Sequence, residues 1–180
     1  GEIQAIYDKT KTDVTGILNG LDGKVDSAFT SGEEQARKQF EDYVGAKMDA
    51  YKDDRYSGFF GGARWLKDKL FGMPSEVNAF YSDGRAAYLT AMDAVIGQVA
   101  DIVGGELNRA RLRIAQGRAD VRTYVSKLPA DLQQVGKDAE SKLEDQFDQL
   151  SSDVDNKQDA LVDSLAQKYV QSRDALDSRI

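Results

Sequence analysis

Apolar residues recur every eleven positions along the last third of the chain, in steps of four, four and three. This spacing averages about 3.67 residues per turn, close to the natural repeat of an α-helix, so one apolar face can point at a partner along a nearly straight rod. The stripe comprises Ala139, Leu143, Phe147, Leu150, Val154, Leu161, Leu165, Tyr169, Leu176 and Ile180. It predicts a long helix over residues 129–180.

Residues 1–56 carry a second stripe with the same spacing and predict the first long helix. Its members are Ile3, Tyr7, Val14, Leu18, Val25, Phe29, Ala36, Phe40, Val44 and Tyr51. Glycine inside a helix costs about 1 kcal/mol against alanine. Because Gly20, Gly23 and the Ser31-Gly32 pair lie within this helix, we expect bending or a short break near Ser31.

Residues 75–127 predict the second long helix. Its stripe comprises Tyr88, Met92, Ile96, Val99, Val103, Leu107, Ala110, Ile114, Val121 and Val125. Between Ala86 and Gly105 the helix is apolar on nearly every side, which is typical of a buried helix. We therefore expect this part to lie centrally, and we expect Gly97, Gly104 and Gly105 to let neighbouring helices approach closely.

Two interruptions separate the three helices. Residues 57–74 form a glycine-rich connector with a short amphipathic helix over 63–71, and Pro129 fits the first turn of a new helix. Matched helix lengths and short connections favour an antiparallel bundle. The prediction is an all-α fold, an elongated antiparallel three-helix bundle forming a single domain over residues 1–180. The alternative keeps Pro129 as a kink and gives two helices, one of them very long.

Charge provides an independent test of a reversal at Pro129. Residues 106–127 carry six basic and two acidic side chains, whereas residues 131–180 carry six basic and twelve acidic ones. Each exposed ion pair stabilises a protein by less than about 1 kcal/mol. We therefore expect these pairs to determine which helices lie side by side, and to add little to the stability of that contact. We interpret the arginines as a face that pairs with the third helix: Arg109, Arg111, Arg113, Arg118 and Arg122.

Composition narrows the chemistry further. The chain has no cysteine and no histidine, which excludes disulfides, thiolate chemistry, the commonest general base and the usual zinc ligand. A net charge of −7 argues against binding to nucleic acid. The acidic run from Asp148 to Asp159 lacks the turn glycine of a calcium loop. Two carboxylate pairs are expected on the exposed side of the first helix, Glu33-Glu34 and Glu41-Asp42. We predict no enzyme, no cofactor and no metal site.

The most distinctive stretch lies in the connector. It places aromatic and leucine side chains beside Arg64, Lys67 and Lys69, a basic island in an acidic chain. Such a helix could cap the apolar end of the bundle or lie at a membrane interface. We favour the cap; the alternative is a membrane-active module, similar to a pore-forming toxin, in which residues 86–105 cross the bilayer. The residues predicted to contact a membrane or a partner are Phe59, Phe60, Trp65, Leu66, Leu70 and Phe71.

Two segments carry a family resemblance, LPADLQQVG from Leu128 and LVDSLAQKYV from Leu161. They resemble the long helical segments of proteins associated with extracellular contractile injection systems, which are phage-tail-like devices. The resemblance covers about residues 75–180. Such proteins are modular, with a core domain, helical spacers and toxin-like ends. The His-Glu-x-x-His motif of the family's core domain has no counterpart here, so no catalytic residue is carried over.

The resemblance implies a helical spacer or cargo segment that is secreted through an injection system. If the resemblance does not hold, we expect a cytoplasmic location. We therefore expect a non-enzymatic structural or interaction module cut from a larger protein. Its expected partners are another protein or flanking domains of the same polypeptide, with a membrane as the alternative surface and no nucleic acid.

Overall fold

The computed structural model describes residues 1–55 and 75–178, with side chains described over 1–47 and 79–178. Three long helices make up nearly all of this part: α1 is Glu2–Arg55, α2 is Ser75–Ser126 and α3 is Gln133–Asp177. A 3-10 turn, Ala130–Leu132, precedes α3. No strand occurs in these two ranges, so the protein is all-α, as predicted.

Contacts between the helices group the chain into two compact units. The first comprises Gly1–Ser27 and Gln98–Ala166, and the second comprises Ala28–Gly97 and Gln167–Ile180. Each unit contains a section of all three helices. The single domain over residues 1–180 stays a prediction.

In the first unit, α1 and α2 run antiparallel. Thr10 packs on Gly117, and Lys24 pairs with Glu106 at 3.1 Å. Residue numbers therefore rise along α1 while they fall along α2.

Helices α2 and α3 are also antiparallel in this unit. Arg118 pairs with Glu144 at 2.7 Å, and Arg111 pairs with Asp155 at 3.2 Å. The chain thus reverses at Pro129, and the alternative of a kinked, continuous helix is wrong.

The second unit repeats the antiparallel arrangement of α1 and α2. A methyl carbon of Val95 lies 2.5 Å from the position that a Cβ on Gly32 would occupy. The ring of Phe40 lies 2.9 Å from the corresponding position on Gly84. Both pairs need glycine, because a side chain there would overlap its neighbour.

Helix α1 is continuous through Ser31, so the short break expected there is wrong. The sequence-based expectation treated Gly32 only as a weak point of the helix. In the structure the absence of a side chain at Gly32 lets Val95 of α2 pack against the backbone. Burial of Val95 offsets the helix-propensity cost of the glycine, which is about 1 kcal/mol.

Most members of the three predicted stripes are buried, and they form the seam between the helices. The buried members are Tyr7, Val14, Val25, Phe29, Ala36, Phe40, Val44, Tyr88, Met92, Val99, Leu107, Ala110, Ile114, Val121, Val125, Leu143, Phe147, Leu150, Val154, Leu161 and Leu176. Tyr51 and Ile180 lie outside the residues whose side chains are described. The residues of the three stripes therefore make up most of the buried apolar residues in the described part of the chain.

The central position expected for residues 86–105 is wrong. Only one side of this part of α2 is buried, and its exposed positions are mostly alanine, glycine and aspartate, together with Thr90 and Gln98. A Cβ added at Gly97, Gly104 or Gly105 would meet nothing within 4 Å, so these glycines do not mediate close approach. Alanine and glycine count as apolar in the sequence pattern. Their side chains are so small that exposing them to water costs little free energy, so they also occupy exposed positions.

The turn between α2 and α3 is held by one side chain. The amide nitrogen Nε2 of Gln133 donates hydrogen bonds to the carbonyl oxygens of Val125, at 3.0 Å, and Leu128, at 2.7 Å. Carbonyls at the end of a helix have no partner within the helix. Gln133 supplies a donor to both of these carbonyls, and the carbonyl of Val125 also accepts the backbone N–H of Leu128 at 3.1 Å. The side chain of Leu128 packs against Gly136 at the start of α3, which closes the turn.

Candidate functional site

The residues predicted to contact a membrane or a partner are Phe59, Phe60, Trp65, Leu66, Leu70 and Phe71. All six, together with the connector helix expected over 63–71, lie outside the described residues. The candidate surfaces among the described residues belong to the three long helices.

Arg118 of α2 forms the most extensive contact with α3. Its Nη1 donates to Glu144 at 2.7 Å, and its Nη2 donates to Asp148 at 2.8 Å. The guanidinium carbon also lies 5.5 Å from the centre of the Phe147 ring. Arginine suits this position because its planar group can bind two carboxylates and stack on an aromatic ring at once.

The predicted pairing of the arginines with α3 is confirmed for three of them. Besides Arg118, these are Arg111, which contacts Asp155, and Arg122, which lies 3.9 Å from Glu140. The acidic run that superficially resembles a calcium loop thus supplies helix-pairing carboxylates. Within the described residues, no group of three or more acidic side chains is placed to hold a metal ion.

Two arginines of the same face have other partners. Arg109 contacts Glu106 of its own helix at 2.8 Å. Arg113 turns toward α1, where its Nε donates to Asp13 at 2.8 Å. The Nη1 of Arg113 is buried and has no hydrogen-bond acceptor among the described residues, an arrangement that costs about 1–3 kcal/mol.

Glu33 lies in a polar contact within the second unit rather than on the exposed side of α1, as was expected. The hydroxyl of Tyr88, a residue only 1 % exposed, donates to Glu33 at 3.1 Å, and Arg37 lies 3.7 Å from the same carboxylate. Burial, followed by the charge of Glu33, raises the pKa of Tyr88 above its ordinary value. Glu34, Glu41 and Asp42 are exposed, as predicted.

Two further ion pairs connect helices and change the pKa of a carboxylate. A hydrogen bond from Arg85 lowers the pKa of Asp177 below its ordinary value; the distance from Nε to Oδ1 is 2.6 Å. Hydrogen bonds from Lys24 and then Arg109 lower the pKa of Glu106. In both cases the charged form of the acid is stabilised by a cation on the neighbouring turn or helix.

Helix α2 is long and apolar enough between Ala79 and Ser126 to cross a membrane by length and composition. Its most apolar window has a mean hydropathy of 1.3, and 28 % of that window is buried. In this part of α2, Met92 and Val95 are buried against the other helices, whereas Asp93 and Asp101 are exposed. Exposure of the apolar side to lipid would require these contacts with the other helices to open.

A groove lies beside the turn between α2 and α3, in the first unit, and we refer to it as the hairpin groove. Its volume is about 470 Å³. The side chains of Tyr124, Leu132 and Val135 line it and are 36 %, 44 % and 65 % exposed. Its remaining lining residues are Gly1, Glu2, Ile3, Gln4, Leu128, Gly136, Ala139, Lys142, Leu143 and Gln146. Sequence reasoning missed this surface because Leu132 and Val135 stand outside the eleven-residue stripe.

Comparisons of the chain with protein-family models, with curated proteins and with solved structures find no match. The resemblance of residues 75–180 to helical segments of injection-system proteins therefore stays a prediction.

Proposed function

We propose that this chain is a non-catalytic structural and interaction module, in which three helices hold a fixed mutual register and present their outer faces to partners. The observation that best supports this proposal is that several charged and polar side chains form contacts between helices. The pairs around Arg118, Arg85 and Glu106, and the contact between Tyr88 and Glu33, each join helices within a unit. Groups committed to helix pairing are not free to act on a substrate.

The finer proposal is that the module is a spacer or a cargo segment of a larger modular protein, of the kind associated with contractile injection systems. Its support is the resemblance of LPADLQQVG and LVDSLAQKYV. A fluorescent reporter fused to residues 1–180 and produced together with an injection particle distinguishes the two roles. Co-purification of the reporter with the particle supports cargo, whereas a reporter that stays free overturns cargo and leaves the spacer.

The structural role is tested by circular dichroism and Trp65 fluorescence on the purified chain. We expect a strongly helical spectrum and cooperative unfolding without any added ligand. Vesicles of neutral or anionic lipid are expected to change neither the helical signal nor the emission of Trp65. Emission that shifts to the blue, together with leakage of dye from the vesicles, would overturn the purely structural role.

The second candidate function is membrane activity, and the hydropathy of α2 is the observation that favours it. In this role, contact of the connector with lipid would precede opening of the seam and insertion of α2. Insertion of Asp93 and Asp101 would each cost about 2.5–3.5 kcal/mol at the bilayer centre. Dye leakage that is lost in Trp65→Ser would support this candidate, and vesicles that stay sealed at every protein-to-lipid ratio would remove it.

A further inference from the structure

Residues 86–105 of α2, which we call the apolar segment, have the length of a membrane span. At a rise of about 1.5 Å per residue they extend over about 30 Å, which matches the hydrocarbon core of a bilayer. Only 28 % of the most apolar window of α2 is buried. A core helix would be largely covered by its neighbours, so packing in the seam does not by itself account for this apolar character.

The exposed side of the apolar segment suits water and lipid alike. Most of its exposed positions are alanine or glycine, which cost little free energy in water, and glycine is also common in membrane helices. The hydroxyl of Thr90 donates to the carbonyl of Ala86 at 3.0 Å, so it is already paired within the helix. Gln98 is polar but carries no charge. The obstacle to contact with lipid is therefore the charge of the aspartates.

Two aspartates carry all of the charge in the apolar segment. Asp93 and Asp101 are exposed, and neither forms a hydrogen bond or an ion pair with another side chain in the described parts of the chain. No lysine or arginine occurs between residues 86 and 105. A carboxylate becomes neutral in acid, whereas a lysine or an arginine would keep its charge. Protonation can thus remove every charge of the segment.

Carboxylates also hold the residues at the two ends of the apolar segment. Arg85, directly before it, pairs with Asp177 of α3 at 2.6 Å. Glu106, directly after it, pairs with Lys24 of α1 at 3.1 Å. Because these carboxylates lose their charge in acid, both pairs lose their attraction. Acid therefore weakens contacts that hold α2 to both of its neighbours.

A further carboxylate contacts the apolar segment from α1. Glu33 accepts a hydrogen bond from the hydroxyl of Tyr88 at 3.1 Å, and Arg37 lies 3.7 Å from the same group. Protonated Glu33 would no longer attract Arg37, and a neutral carboxyl group is a weaker acceptor than a carboxylate. This contact responds to acid in the same direction as the two ion pairs.

Arginines flank the apolar segment on both sides. Arg85 precedes it, and Arg109, Arg111 and Arg113 follow it. Basic residues at the ends of a membrane helix lie among the lipid headgroups and attract anionic lipids. In the folded chain each of these four arginines pairs with a carboxylate, so acid also releases them.

We propose that acid controls the entry of α2 into a phospholipid bilayer, with the charges of Asp93 and Asp101 as the barrier at neutral pH. Once both are neutral, residues 86–105 cross the hydrocarbon and the flanking arginines stay among the lipid phosphates. The proposal rests on the second candidate function, membrane activity, and adds the signal that triggers it.

Leakage of dye from vesicles of phosphatidylcholine and phosphatidylglycerol tests the trigger with the complete chain. We expect sealed vesicles at about pH 7 and leakage at least about tenfold faster at about pH 4. Asp93→Asn combined with Asp101→Asn should raise the pH of half-maximal leakage by about half a unit or more, because the barrier is already neutral. Asp159→Asn combined with Asp163→Asn is the matched control and should leave that pH unchanged, since both aspartates are exposed on α3.

A single fluorescent label tests which helix enters the lipid. The chain has no cysteine, so Gly97→Cys provides one attachment site for a nitrobenzoxadiazole dye, and a Cβ at this position meets nothing within 4 Å. At about pH 4 its emission should shift to the blue and be quenched by bromine atoms on the lipid tails. The same dye on Val162→Cys, a position 56 % exposed on α3, should stay accessible to iodide in the water. Circular dichroism at neutral pH verifies that every variant is helical.

The outcomes separate the trigger from membrane activity itself. Vesicles that stay sealed at both pH values overturn membrane activity and the trigger together. Equal leakage at both pH values retains membrane activity and overturns the trigger alone, as does an unchanged pH of half-maximal leakage in the variant of Asp93 and Asp101. Labels at positions 97 and 162 that enter the lipid equally would indicate general unfolding on the bilayer and would also overturn the proposal.

Discussion

At the scale of single residues, glycine determines how closely α1 and α2 approach. A Cβ on Gly117 would collide with the side chain of Thr10, a buried residue whose hydroxyl donates to the carbonyl of Ile6 at 2.8 Å. The same holds for Gly32 against Val95. These positions look like weaknesses when the helix is considered alone, and they become packing sites when the neighbouring helix is included.

Gly117→Ala is expected to destabilise the protein although alanine is the better helix former. The gain in helix propensity is about 1 kcal/mol, whereas overpacking a well-filled interior costs about 1–3 kcal/mol. Gly104→Ala on the same helix is the matched control and is expected to stabilise, because nothing lies within 4 Å of its Cβ position. Urea unfolding measures both, and equal effects of the two substitutions would contradict the close packing at Gly117.

Tyr88 is expected to make stability depend on alkaline pH. Burial and Glu33 raise its pKa above the ordinary value of 10.0, so the folded protein retains the hydroxyl proton after the unfolded chain has begun to lose it. The stabilisation is complete below pH 10 and is lost as the pH rises through the folded pKa. The melting temperature, measured between about pH 8 and pH 11, should therefore decline less steeply with pH in Tyr88→Phe than in the unaltered chain.

Tyr88→Phe also removes the hydrogen bond to Glu33, and at pH 7 we expect it to cost about 1–2 kcal/mol. Tyr7 has a raised pKa as well, mainly through burial, so part of the alkaline decline is expected to remain until Tyr7 is also replaced by phenylalanine. Identical pH profiles for the unaltered chain and Tyr88→Phe would contradict the assignment.

At the scale of the helices, the eleven-residue stripes leave the register open. Shifting one helix by eleven residues would still match apolar positions to apolar positions, because the stripes repeat. The close approach of Thr10 to Gly117 reduces this ambiguity, because the residues eleven positions away on either side of Gly117 are Glu106 and Leu128, which carry large side chains.

Arg118 does not distinguish the registers by itself, because Asp155 and Asp159 repeat the spacing of Glu144 and Asp148 eleven residues further along α3. We infer that burial of the stripes supplies most of the stability, while close contacts at glycine select the register of α1 and α2.

Arg118→Met is expected to destabilise the pairing of α2 and α3 by about 1 kcal/mol, because it removes two charged hydrogen bonds and the stacking on Phe147. Arg118→Lys should recover only part of this loss, since an ammonium group cannot bind both carboxylates in the same plane. Arg111→Met is the control and should cost less than about 0.5 kcal/mol, since Arg111 and Asp155 are 45 % and 70 % exposed. Denaturant unfolding at low and high salt measures the three variants, and a difference that does not shrink with salt would contradict an ionic cause.

Sequence reasoning identified the helices and their apolar faces well because periodicity is a local signal. It placed the start of α1 and the end of α2 within a residue or two, and charge indicated the reversal at Pro129. It missed the burial of Thr10 and the contact of Glu33 with Tyr88, since both depend on which turn of a neighbouring helix lies opposite. The hairpin groove was missed for the same reason, because a groove arises between elements and has no pattern of its own.

At the scale of the whole molecule, acidic residues outnumber basic ones, 31 to 24, and several acids join helices. The pKa of Asp177 is lowered by Arg85, so this pair stabilises the folded state above the ordinary pKa of 3.8. That stabilisation is lost as the pH falls through the lower, folded pKa. Protonation of the acidic side chains also leaves the basic side chains without compensating negative charge, so the positive charges of the folded chain repel one another.

Thermal unfolding followed from about pH 5 to about pH 2 is expected to show a steep loss of stability. Asp177→Asn should lower the melting temperature at neutral pH and make the acidic decline shallower. Arg85→Gln should produce the same change, and the double variant should add nothing to either single one, because both remove one pair. Additive effects would contradict a shared origin.

The common repeat of the three stripes also limits how the bundle can change in length. Deleting one residue from a single helix would turn everything beyond it by about 100°, which moves the apolar side chains out of the shared interior. Insertions or deletions of seven or eleven residues return the apolar side chains to within about 20° of the same side, provided that all three helices change at the same level. Eleven residues also keep the repeat of the stripes, and they lengthen each helix by about 16 Å.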